Sequence, residues 1–229
     1  FGVEEQARPI PVHTGSIWHF SETEINHLTQ ATLAFTLALA FMFSGGIYGA
    51  LINLDVFLVY GLLSLVTFTP GFLIHEIAHK VQARKYGCWA EFRASPRGLR
   101  FGVILAALLG VVFMAPGAVM VAGNTTKEQF GKIALAGPVS NVVLWCIGLL
   151  VAIATGGPGG IASESYWVGR VIFYWMWANG ILGALNMLPF GPLDGKKIKT
   201  WSDAMFWIWL TITFSMVWFN LTELGALLG

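Results

Sequence analysis

A chain of 229 residues with 56% hydrophobic and only 11% charged side chains cannot cover a water-facing surface, because a soluble domain carries about 25% charge. A soluble globular enzyme is therefore excluded, and the 14% aromatic content excludes a disordered chain. Cys88 and Cys146 are too few for a disulfide scaffold, and the net charge of +1 gives no reason to expect a nucleic-acid partner.

A helix needs about 20 apolar residues to cross the hydrocarbon core. Residues 1–25 are polar and irregular, and a single membrane-embedded domain is expected over 26–229. Ser21 followed by Glu24 reads as a capping box that opens the first helix. No basic n-region with a cleavage site precedes it, so a secretory signal is not expected. The chain also lacks an initiating Met and can be a trimmed form. Apolar stretches then run over Ala31–Ile52, Val56–Val81, Phe101–Gly123, Ile133–Thr155, Tyr166–Phe190 and Ala204–Leu228. A flexible joint at Gly156-Gly157-Pro158-Gly159-Gly160 separates the fourth from the fifth. Gly45-Gly46 in the first stretch reads as a packing or hinge point. The expected class is an all-α polytopic membrane protein in contact with the lipid bilayer.

The second stretch contains His75-Glu76-Ile77-Ala78-His79. On a helix, positions i and i+4 share a face, so both imidazoles can point at one ion. Glu76, between them in sequence, can take a proton from a water activated by that ion. Chance would supply roughly 0.004 such matches in a chain of this composition. Ionisable groups in lipid need a reason, and packed histidines with a salt-bridged Glu supply a weaker one than a metal does. A catalytic zinc takes three protein ligands and keeps one position open. Asp194 is the leading third ligand, in Asn186-Met187-Leu188-Pro189-Phe190-Gly191-Pro192-Leu193-Asp194-Gly195, where two prolines break the helix. Irregular backbone at membrane depth is tolerated where it lines a cavity. Glu91 and Glu128, in polar stretches, are the rival ligands. His13, His19 and His27 follow no helical ligand spacing and read as surface residues.

Topology tests the choice. His75, His79 and Asp194 all lie near C-terminal ends of their stretches, so those ends must reach the same side. That holds only if 101–123 dips into the membrane without crossing it. Five crossings with the site end cytoplasmic leave Arg170 as the one basic residue outside, of thirteen. That agrees with the positive-inside rule. It puts the N-terminus inside the cell and the C-terminus outside.

At this point the residues resemble a known family. HEIAH on one membrane helix with NMLPFGPLDG two crossings later looks like the site-2 protease family of intramembrane zinc metalloproteases. Ala136-Gly137-Pro138-Val139-Ser140-Asn141, on the span between, is similar to the family's Gly-Pro signature. The resemblance covers about residues 56–200, the expected catalytic core. It implies one zinc ion held by His75, His79 and Asp194, with Glu76 as general base. It implies that Asn186 faces the site and steadies the substrate carbonyl or the oxyanion. It also implies a membrane-embedded β-structure that pairs with the substrate, matched here by Ala115-Pro116-Gly117-Ala118-Val119-Met120. The chain departs from the family in a long hydrophobic insert at 101–114, in having no PDZ domain, and in ending one span beyond Asp194.

The function implied is cleavage of transmembrane protein substrates near the cytoplasmic face of the cell membrane. A membrane metal transporter or metal-binding sensor is the competing class. A transporter places its ligands near the midplane, whereas the nineteen residues Val56–Ile74 make about 28 Å of helix and set His75 near one edge.

Overall fold

The computed structural model describes residues 16–228, apart from 17, 115, 157 and 158. Arg8, His13, Ala115, Gly157 and Pro158 therefore lie outside the described residues. Helix α1 (Glu22–Ser44) opens on Ser21, whose hydroxyl accepts from the Glu24 amide at 3.2 Å. Only half of the expected capping box forms, because the Glu24 carboxylate turns away to Lys80 and the Phe92 amide. The helix also begins inside the segment expected to be irregular, and residues 22–25 belong to it. Gly45 and Gly46 take positive φ and end α1. A Cβ on Gly46 would come within 2.7 Å of the Ala107 carbonyl oxygen, so this is a packing point.

The chain passes through the seven-residue α2 (Gly46–Ile52) into the 32-residue α3 (Leu54–Lys85). At 1.5 Å per residue α3 is about 48 Å long, longer than the hydrocarbon core of about 30 Å. Strand β1 (Trp89–Ala94) follows, then α4 (Pro96–Leu109) and strand β2 (Gly117–Ala122). The apolar stretch 101–123 is thus not a continuous helix. Its helical part belongs to a 14-residue helix, about 21 Å and too short to span. The remainder folds back as β2, antiparallel to β1, with Trp89 opposite Ala122 and Ala94 opposite Gly117. This register returns the chain to the end of α3 from which it left. The stretch therefore contains no helix of membrane-spanning length among its described residues.

Next comes α5 (Lys127–Thr155), opened by a complete capping box of Thr126 and Gln129. The short α6 (Ile161–Glu164) leads to α7 (Tyr166–Asn186), α8 (Asp194–Trp201), α9 (Asp203–Thr222) and α10 (Leu224–Leu228). Among the described residues four helices, α1, α3, α5 and α9, are long and apolar enough to cross a membrane. Helix α7, at 21 residues, has the length as well, but its Trp, Tyr, Asn and Arg170 make it less apolar. It packs against α3, α5 and α9, so its buried Asn179 meets protein instead of lipid. Exposed Leu, Ile, Val, Phe and Trp side chains cover the outside of the bundle. The protein is an all-α polytopic membrane protein with a two-stranded sheet set against one end.

Candidate metal centre

The centre forms where α3, α5 and the turn after α7 meet. Helical spacing puts His75 and His79 on one face of α3, with their Nε2 atoms 3.0 Å apart. Pro189 and Pro192 stop α7, and the chain turns until α8 begins at Asp194. Gly195 permits that start, since a Cβ there would lie 2.0 Å from the Met187 carbonyl oxygen. Asp194 Oδ2 then sits 3.3 Å from His75 Nε2 and 3.0 Å from His79 Nε2. All three side chains are buried. Among the described residues no other group of three such donors converges. Glu91 is engaged by Ser21 and Arg93, and Glu128 by Lys132. The main chain of His19 accepts from Arg84. Neither His19 nor His27 joins the cluster.

The hydrogen bonds behind the ligands settle what they present. Carbonyl oxygens only accept, so the Ile133 carbonyl, 2.8 Å from His79 Nδ1, requires a proton on that nitrogen. For His75 the argument runs through two asparagines. Asn179 donates to the Trp175 carbonyl at 2.9 Å, which turns its oxygen toward Asn141. The Asn141 amide nitrogen donates to that oxygen at 3.0 Å and to the Gly71 carbonyl at 3.2 Å. Asn141 Oδ1 is then left to accept from His75 Nδ1 at 2.6 Å. With the proton on Nδ1, each ring in its neutral form would aim an Nε2 lone pair at the Asp194 carboxylate and at the other ring. Three lone pairs meeting at 3.0–3.3 Å repel. A protonated ring would relieve that only in part, whereas one cation relieves every edge.

The spacing suits zinc. Tetrahedral ligands at about 2.0–2.1 Å from the metal lie about 3.3 Å from one another. Gly137 on α5 leaves the room that an ion would need. A Cβ at that position would stand 2.5 Å from both Nε2 atoms. Lys197 donates to the other Asp194 oxygen at 2.9 Å and orients the carboxylate. Glu76 lies beside His75, Asp194 and Lys197, and the Val119 main chain of β2 lies against it.

Of the four residues singled out in the sequence, the structure brings the side chains of His75, His79 and Asp194 together, and Glu76 follows His75 on α3 with the Val119 main chain against it. Asn186 sits at the end of α7, with its amide donating at 2.9 Å to the Leu182 carbonyl of its own helix. The polar residues that fix the His75 ring, Asn141 and Asn179, lie deeper and are wholly buried. Asn141 stood in the sequence inside the Gly-Pro segment, and an Asn buried in an apolar span was the available signal. Asn179 carried only that signal. Replacing Asn141 with Leu is expected to weaken zinc binding about 10–100-fold. Titration with a zinc chelator measures this, and unchanged affinity would mean that the His75 orientation does not depend on Asn141.

Comparison with known proteins adds an independent line. Three relatives carry the name "Putative zinc metalloprotease". MJ0611 of Methanocaldococcus jannaschii is 39% identical over 207 residues, which cover 90% of this chain and 97% of the relative. YwhC of Bacillus subtilis is 31% identical over 165 residues, covering 63% and 73%. Rip3 of Mycobacterium tuberculosis is 31% identical over 167 residues, covering 72% of this chain but 36% of that longer protein. No protein-family model matches the chain, and no solved structure shows a significant match. With near-complete coverage of MJ0611 at this identity, and a buried two-histidine, one-aspartate cluster beside a glutamate, the chain belongs to the zinc metalloprotease family of these relatives.

Proposed function

We propose that this protein is an intramembrane endopeptidase of the site-2 protease type. It holds one zinc ion on His75, His79 and Asp194 and cuts transmembrane protein substrates near the cytoplasmic side of the cell membrane. The observation that carries the reading is the buried convergence of His75, His79 and Asp194, with Glu76 next to His75 in the chain and against the Val119 main chain of β2. Zinc, when bound, supplies a Lewis acid that brings the pKa of a water toward neutrality. Glu76 accepts the proton released as that water attacks the peptide carbonyl, and then delivers it to the leaving amine. His75 and His79 stay in one tautomer throughout, because Asn141 and Ile133 hold their Nδ1 protons.

A substrate helix hides its carbonyls in i to i−4 hydrogen bonds and must unwind before it can be cut. The outer edge of β2 offers replacement partners for the unwound segment. Five crossings, with the N-terminus and the site end cytoplasmic, set this edge at the membrane boundary. Arg170 then remains the one basic residue on the far side.

The test is cleavage of a purified transmembrane substrate by the protein in liposomes, with zinc content measured in parallel. Turnover is expected to follow zinc occupancy, to vanish with a chelator and to return on adding zinc. Cysteines at Thr126 and Ser202 should label from the cytoplasmic side, and one at Ser163 from outside. Zinc-replete protein that cuts no membrane-embedded substrate would sink the proposal.

A further inference from the structure

The buried ion pair of Lys80 and Glu24 lies outside the metal cluster and has no part in the chemistry above. Both side chains are 1% exposed, and the Phe20 ring covers the Lys80 ammonium at 3.5 Å. Burying a charge pair in an apolar protein is costly, and apolar replacements of similar volume are often as stable or more so. Stability alone does not account for it.

The second Glu24 oxygen supplies the reason. Glu24 Oε1 accepts from the Phe92 amide at 3.1 Å, on the side of β1 away from β2. Phe92 is directly opposite Val119 in the sheet. In an antiparallel ladder, a residue whose amide points outward belongs to a non-hydrogen-bonded pair, and its partner also points its N–H and C=O outward. The Ser95 amide, three residues on, bonds to Pro116 across the ladder, as this alternation requires. The Val119 main chain therefore faces the free edge of β2, and it lies against Glu76. Lys80 is one helical turn beyond Glu76 on α3. The path Glu76, Val119, Phe92, Glu24, Lys80 closes a ring through α3, β2, β1 and α1. Ser21 of the α1 cap adds a 3.0 Å bond to Glu91 of β1.

We infer that Glu24, anchored by Lys80, is a positioning residue that sets the distance between the β2 edge and the general base Glu76. It grips the far edge of the sheet, so that a strand laid on the near edge arrives in register with the base. The inference rests on the proteolytic reading for its consequence in turnover, but not for its consequence in the sheet.

The experiment compares double variants of the full chain in lipid nanodiscs. Glu24→Leu with Lys80→Met removes both charges and the acceptor for the Phe92 amide. Glu24→Gln with Lys80→Met removes both charges but keeps an acceptor oxygen. Zinc content, amide hydrogen exchange and turnover of a transmembrane substrate are measured on each. The Leu–Met variant should keep its zinc, exchange faster in 89–94 and 117–122 while α3 and α5 stay protected, and turn over about 10–100-fold more slowly. The Gln–Met variant should restore both exchange and turnover toward wild type. Should the Leu–Met variant not fold, Glu24→Asp decides. It keeps the charge but retracts the acceptor by one methylene, and it too should slow turnover with zinc retained. Wild-type exchange and turnover in the Leu–Met variant, wild-type turnover in Glu24→Asp, or equal losses in the Leu–Met and Gln–Met pair would overturn the inference. If wild-type protein cuts no substrate while exchange follows this pattern, the proteolytic reading fails and the positioning of the sheet stands.

Discussion

Glu76→Gln is expected to lower peptide cleavage by about 10²–10⁴-fold or more, while one zinc per chain remains bound. The amide keeps the shape of the carboxylate and stays beside the Val119 main chain, but it cannot accept a proton at neutral pH. None of the ligand atoms changes, since the cluster consists of His75, His79 and Asp194. The bonds to Asn141 and Ile133 that fix both rings are also untouched. His79→Ala behaves differently, because it deletes a ligand and should empty the site as well as stop turnover. Zinc stoichiometry measured beside single-turnover cleavage separates the two losses. Normal turnover by Glu76→Gln would exclude Glu76 as the base.

How far the sequence carries can be judged from individual residues. His75, His79 and Asp194 were legible because a two-histidine helical spacing and a proline-broken helix end each reflect a local geometric constraint. That 101–123 is not one continuous helix was legible for a different reason. Hydropathy alone permits a span there, but three ligands that share an ion must come from one side. The structure breaks this stretch into a helix and a strand. Helix α4 ends at Leu109, Gly110 takes a φ of 66°, and the residues beyond return as β2.

What was not legible is equally physical. Glu24 reads locally as a capping-box residue, and its capping role was lost to a stronger tertiary offer from Lys80 and the Phe92 amide. No local pattern announces a partner 56 or 68 positions away. Asn141 and Asn179 obey the same logic. Each is a single polar residue in an apolar helix, and only the packing of α3, α5 and α7 reveals that they form one chain ending at His75. Resemblance pointed to Asn186 as a site residue. In the structure one N–H of its amide bonds the Leu182 carbonyl of its own helix, which leaves its second N–H and its oxygen for other partners.

Gly137→Ala is expected to abolish zinc binding and cleavage together while leaving the fold intact. The position is buried in the middle of α5, where Ala in place of Gly ordinarily stabilises a helix by about 0.5–1 kcal/mol. Propensity therefore argues that the substitution is benign. The surroundings argue otherwise, because the new Cβ would stand 2.5 Å from His75 Nε2, 2.5 Å from His79 Nε2 and 2.6 Å from His75 Cε1. Those are the atoms that face the ion, and the methyl group would take the space between α5 and the ligands. The rings have little freedom to retreat, since Asn141 holds one and the Ile133 carbonyl the other. Melting with and without zinc distinguishes the two effects. Wild-type protein should gain stability with zinc, as any ligand that binds the folded state confers. Gly137→Ala should melt cooperatively at the same temperature whether or not zinc is present. If the variant bound one zinc with wild-type affinity, the ion could not sit against α5, and the triangle of His75, His79 and Asp194 would have to open toward a different face.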